Sequence, residues 1–130
     1  MTICMTGETV NWSAPEWRPL LDLCGERLTG AFMWMFEVEL EDGLRVHAYK
    51  HRHTRRYLHL GEDGSAWIYL WSDEDTGNAS YRPFFADDLL EMVLAEWVRS
   101  ERASAEDLAD YRVALERLRA ARSVPLDNAA

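Results

Sequence analysis

Met33-Trp34-Met35-Phe36-Glu37-Val38-Glu39-Leu40 and Leu44-Arg45-Val46-His47-Ala48-Tyr49-Lys50 flank the short connection Glu41-Asp42-Gly43. Apolar and polar residues alternate in the second half of the first run and along the second, the period of a strand with two unlike faces. The three-residue connection, with glycine at its left-handed position, predicts a hairpin between them. Pairing Leu40 with Leu44 sets Val38 opposite Val46 and Phe36 opposite Ala48. On the other face Glu39 meets Arg45 and Glu37 meets His47, so opposite charges stand across from each other.

Working outward, the next turn is expected at Arg52-His53-Thr54. The register that keeps one face aliphatic pairs His47 with His59, Tyr49 with Tyr57 and His51 with Arg55. Ala48 then meets Leu58 and Val46 meets Leu60; a slip of one residue would move both leucines to the other face. Gly61-Glu62-Asp63-Gly64 turns the chain into Ser65–Trp71, where matching Ile68 to Leu58 sets Trp67 beside His59, Tyr69 beside Tyr57 and Trp71 beside Arg55. The acidic stretch Ser72–Asn78 reads as a solvated loop.

Upstream, Ser13-Ala14-Pro15-Glu16 has capping-box spacing, and a short helix is expected from about Pro19 to Cys24, stopped by Gly25. Downstream, the period becomes helical from Ala86, with Leu89, Leu90, Val93, Leu94, Trp97 and Val98 on one stripe. A second helix is expected after Ser104, with Asp107 at capping-box spacing and a narrower stripe of Leu108, Tyr111, Leu115 and Leu118. The expected fold is therefore α+β: a four-stranded antiparallel meander over about 32–71, a short N-terminal helix, and two C-terminal helices on the aliphatic face. Residues 1–122 read as one domain and 123–130 as a flexible tail.

Composition narrows the classes. The chain has 130 residues, 48% of them hydrophobic, enough for a packed core. A net charge of −9 disfavours nucleic acid as a partner, since that affinity comes largely from phosphate neutralisation. No apolar run reaches the roughly 18–20 residues of a membrane span. The start lacks a basic segment followed by an apolar one, so the expected location is the cytoplasm. Lys50 is the one lysine beside thirteen arginines, a bias that suggests GC-rich bacterial coding. Cys4 and Cys24 are too few for a disulfide scaffold and have no zinc spacing, so both read as thiols.

The second face is where chemistry gathers. The assumed registers give three rows: Glu37, His47, His59, Trp67; Met35, Tyr49, Tyr57, Tyr69; and Met33, His51, Arg55, Trp71. His47 and His59, with Glu37 orienting the first, are the candidate catalytic groups for phosphoester or acyl chemistry. The same row could in principle hold a metal, but it reads more simply as a half-exposed polar ladder, and no cofactor or metal is expected. Lys50-His51-Arg52-His53-Thr54-Arg55-Arg56 carries four fixed positive charges beside the tyrosines, which suits an anion. Glu91, Glu96 and the acidic loop are the internal groups that would neutralise it.

The function expected from these residues is a small binding or regulatory module. Its sheet face would present Tyr49, Arg55, Arg56, Tyr57, Trp67, Tyr69 and Trp71 to a protein partner or a small anionic ligand. The alternative is a hydrolase-type enzyme using the histidine pair on a phosphorylated or nucleotide substrate. A homodimer through the narrow stripe of the last helix is a further possibility. No phosphate-binding glycine loop, nucleophile elbow, zinc motif or helix-turn-helix pattern is present.

Overall fold

The structure, a computed structural model, describes residues 14–71 and 80–122. Readings that fall on Ser13, Cys4, the acidic loop and the C-terminal tail lie outside these residues.

A 3₁₀ turn, Pro15–Trp17, leads into α1, Arg18–Thr29. Then come β1 (Phe32–Glu39), β2 (Arg45–His51), β3 (Tyr57–Gly61), β4 (Ala66–Leu70) and β5 (Ser80–Phe84). Two helices close the described chain, α2 (Ala86–Val98) and α3 (Ala105–Arg122). The strands form one antiparallel sheet in sequence order, so the fold is the α+β meander with a fifth strand added. That strand was missed because Pro83 interrupts it. Proline is tolerated there because β5 is the edge of the sheet, where a missing N–H costs no ladder bond.

Gly25 breaks α1 as its type suggests, with φ +82° and ψ 171°. The helix does not end there, however. It resumes to Thr29 because Leu28 and Thr29 are fully buried and hold the last turn against the core.

The β1–β2 register agrees with the alternation from Phe36 to Glu39, including Glu37 opposite His47 and Glu39 opposite Arg45. It then shifts between Trp34 and Phe36, leaving Met35 as the extra residue of a bulge. The row that placed Met35 against Tyr49 and Met33 against His51 is thereby corrected: Trp34 lies opposite Tyr49 and Phe32 opposite His51. The bulge moves Phe32 and Trp34 to the face that carries Tyr49, where Phe32 becomes core.

The β2–β3 register differs by one residue along its whole length. Ala48 pairs with His59, Tyr49 with Leu58, and His47 with Leu60. The cause is the turn, which is one residue longer than expected. His51 N–H donates to the Arg56 carbonyl at 2.9 Å, so the loop is Arg52–Arg55. Arg55, not a glycine, takes the left-handed position with φ +65°. The His51 ring fastens this turn: its Nδ1 accepts the main-chain N–H groups of His53 and Thr54, each at 3.2 Å.

This shift re-sorts the faces. Tyr49, Leu58, Leu60 and Ala66 join Leu20, Leu28, Leu90 and Leu94 in the core beneath the three helices. The helices therefore cover the face that carries Tyr49, not the Val46–Ala48 face that looked aliphatic. The leucines stay buried after the one-residue shift because the helices lie on the other side from the one expected. Val46 and Ala48 are fully buried on the opposite face, flanked in register by Val38 and Phe36 on one side and by Gly61 and His59 on the other.

The helices close the core as their stripes indicate. Leu89, Leu90, Val93, Leu94 and Trp97 of α2 are buried. Ser104 and Asp107 cap α3 reciprocally, each side chain accepting the other's main-chain N–H at 3.0 Å. Of the α3 stripe, Tyr111 and Leu115 are core residues together with Ala114, and Leu118 packs against them. At the far end of α3, Arg122 donates to both Asp87 oxygens, at 2.9 and 3.0 Å, and stacks on Phe85. Burial pushes the Asp87 carboxyl up, but the Arg122 hydrogen bonds and the Asp88 main chain outweigh it and hold the group below its usual value. No helix among the described residues is long and apolar enough to cross a membrane.

Candidate functional site

The two histidines read as a catalytic pair do not meet. His47 lies on the helix-covered face and His59 on the other, because residues 47 and 59 no longer share a register position. His47 is 1% exposed, and both its nitrogens are engaged. Trp34 Nε1–H donates to Nδ1 at 3.0 Å, which places the ring proton on Nε2, 2.9 Å from Glu62 Oε2. Glu37 is not the orienting group: it pairs with Arg45 at 3.2 Å, and its nearer oxygen is 3.9 Å from His47 Nδ1. The arrangement ties β1 and β2 to the β3–β4 turn and engages both ring nitrogens.

His59 sits in different company. It is 7% exposed and part of a continuous run of rings on the face away from the helices. Phe36 lies 6.4 Å from Tyr57, Tyr57 stacks on His59 at 5.8 Å, and His59 meets Tyr81 edge-on at 5.2 Å. Tyr81 packs on Tyr69 at 5.1 Å, and Tyr69 on Trp71 at 5.0 Å. The Tyr81 hydroxyl is 3.3 Å from His59 Nδ1. Burial pushes the His59 imidazole down to about 4 and raises the Tyr81 hydroxyl. His59 is therefore a neutral, polar member of an apolar wall at physiological pH.

The rings surround an opening in the sheet. β3 and β4 pair only at Leu60–Ala66 and His59–Trp67 and part beyond that point, although both strands continue. The gap is a cleft of about 730 Å³. Its walls come from both faces of the sheet: Phe36, Tyr57, His59, Tyr69 and Tyr81 from one, and Ile68, Leu70 and the α2 residues Leu89, Met92 and Val93 from the other. Residues of opposite faces can line a single cavity only where neighbouring strands separate. Arg56 lies at the cleft with its guanidinium 3.3 Å from Glu96, the internal neutralisation foreseen for that arginine. Glu91 instead pairs with Arg119. Lys50 Nζ sits 5.6 Å from the Tyr57 ring centroid.

Of the residues proposed from sequence for ligand contact, Arg56, Tyr57, Tyr69 and Trp71 line this cleft. Trp71 is the most exposed of them, at 83%. Trp67 shares their face beside His59 but bonds to Ser65 through its indole N–H at 2.8 Å. Arg55 is exposed in the turn. Tyr49 is removed from the face altogether: it is fully buried under α1, and its hydroxyl donates to the Glu16 carbonyl. The sequence reading missed Phe36 because it was assigned to core, and Tyr81 because its strand was not recognised. The alternation Ser80-Tyr81-Arg82 was the available signal for the latter.

Cys24 is a buried thiol, with its sulfur 3.4 Å from the Leu20 carbonyl and its ionisation pushed up to about 12 by burial. That makes it unreactive rather than nucleophilic. Among the described residues no group of three His, Cys, Asp or Glu side chains is placed to hold a metal ion. Comparison with protein-family models, with curated proteins and with solved structures found no match in any of the three.

Proposed function

We propose that this protein is a binding module whose ligand is a small, flat aromatic molecule held in the cleft between β3 and β4. The observation that carries the reading is the convergence of Phe36, Tyr57, His59, Tyr69, Tyr81 and Trp71 on one opening of about 730 Å³. That volume lies within the range of small-molecule sites, which are mostly apolar with a few placed polar groups. Rings in offset or edge-on contact favour another ring as their guest. Arg56 at the cleft is the one guanidinium there, and it can exchange Glu96 for an anionic group on the ligand. Of the two kinds of partner suggested by the sequence, a concave, ring-lined cleft of this volume favours the small anionic ligand over a protein surface.

The test is calorimetric titration with naphthoate, a planar ring bearing a carboxylate. The expected result is saturable binding, weakened at least tenfold by Tyr69→Ala and less by Arg56→Gln, with circular dichroism unchanged. Absence of saturable binding to the folded protein, or binding indifferent to Tyr57→Ala and Tyr69→Ala together, would overturn the proposal.

A further inference from the structure

Hydrogen-bond parity fixes which way each main-chain group in the opening points. In an antiparallel pair, alternate residues bond to alternate neighbours. His51 and Arg56, and Arg45 and Glu62, are bonded across β2–β3. Counting inward by twos, Leu58 and Leu60 also turn their N–H and C=O groups towards β2. Tyr57, His59 and Gly61 therefore turn theirs towards β4, and the Gly61 N–H does reach the Ser65 carbonyl, at 2.8 Å. On β4 the residues that face β3 are Trp67 and then Tyr69. His59–Trp67 is the last rung of the ladder. The next rung would have Tyr57 and Tyr69 exchange N–H and C=O, and it is not closed.

Two of the residues whose rings wall the cleft, Tyr57 and Tyr69, are thus the ones whose main-chain groups border it. A strand residue in this setting presents N–H and C=O side by side. A lactam edge on a planar ring presents the complementary pair. We infer that the cleft selects planar heteroaromatic ligands with a lactam edge, read by the main chain of Tyr57 or Tyr69 while the rings hold the plane. This inference rests on the cleft being a ligand site and adds what the ligand's edge must carry. It also gives a role to the opening. Main-chain groups at an open rung are available to a partner, and a ligand edge can meet them as the missing strand pairing would.

The experiment compares carbostyril, a benzo-fused lactam, with its N-methyl derivative, which has the same rings and carbonyl but no N–H. Binding is followed by amide NMR and by hydrogen exchange at Tyr57 and Tyr69. The expected result is at least tenfold tighter binding of carbostyril, with slower exchange of the Tyr57 or Tyr69 amide in its presence. Equal binding of the two compounds, or unchanged exchange at both amides, would overturn the lactam reading. If naphthoate still binds in the Tyr69-dependent way described above, the aromatic cleft survives that result. If neither naphthoate nor carbostyril binds, the cleft reading fails with it.

Discussion

His47 stands opposite Leu60 and His59 opposite Ala48, so the two imidazoles project from opposite faces of one sheet. Each is buried, and each is held by a different set of partners. His47 is fixed by Trp34 and Glu62 as a structural link, while His59 belongs to the ring wall of the cleft. A one-residue difference in a turn separates these two roles from the shared one that the alternation suggested.

Trp34→Phe tests the structural role of His47. The change keeps the ring packing but removes the donor to Nδ1, leaving a buried acceptor unmet. It should destabilise the fold by about 1–2 kcal/mol, the usual penalty for such a group, read as a lower urea midpoint with an unchanged slope. Ligand binding in the cleft should not change, because Trp34 does not line it. A neutral result would mean that the indole–imidazole bond contributes nothing.

Arg55→Gly tests the turn. Arg55 has φ +65°, a conformation that favours glycine over any residue with a side chain at Cβ. Glycine should leave stability unchanged or raise it by up to about 1 kcal/mol. A β-branched replacement, Arg55→Val, should instead lower it. Equal losses from both changes would show that the arginine side chain, rather than the backbone, holds the loop.

That turn also separates the part of the fold that the sequence encodes in its spacing from the part that it does not. The first hairpin was legible because Gly43 announced its turn, and its pairs from Phe36 to Glu39 fall where alternation put them. The helical stripes of α2 and α3 were legible because apolar spacing is redundant over many residues. The second turn has no glycine; a buried imidazole supplies its order through contacts with His53 and Thr54 that no spacing rule encodes. Once that turn gained a residue, every side chain of β3 changed face. The Met35 bulge and the edge strand with Pro83 were hidden for the same kind of reason, since each breaks the period that serves as the signal. Four of the seven proposed ligand residues nonetheless line the cleft. Tyr57, Tyr69 and Trp71 keep company because β3 and β4 hold the predicted Trp67–His59 pairing.

Gly25→Ala separates backbone strain from crowding. A Cβ at this position meets no atom within 4 Å, yet φ +82° with ψ 171° lies in a region almost reserved for glycine. The expected loss is about 1–3 kcal/mol, all of it conformational. Gly30→Ala is the control: its φ of −62° is ordinary, and the nearest contact of a Cβ would be 3.4 Å. It should stay within about 0.5 kcal/mol of the parent protein. Similar losses at both positions in thermal or urea unfolding would refute the backbone account.

Acid should weaken the fold in two separable stages. Burial holds His51 and His59 at about 4 in the folded chain, against 6.5 for the free group, with His53 adding to the effect at His51. Between those values the unfolded chain binds more protons than the folded one, so stability rises with pH there. The contribution is complete above about 6.5 and disappears as pH falls towards 4, amounting to about 3 kcal/mol per histidine. Asp87 acts lower: its carboxyl is held below the ordinary 3.8, so its share is present above that value and is lost as pH falls through the depressed one. Urea unfolding at a series of pH values should therefore show a fall beginning near neutrality, steeper than carboxylates alone would give. His59→Gln should roughly halve the upper stage, leaving the His51 share, and keep the Asp87 stage in place. NMR titration of the folded protein should find both imidazoles still neutral at pH 5.5, whereas ordinary titration of either near 6.5 would remove that residue from the account.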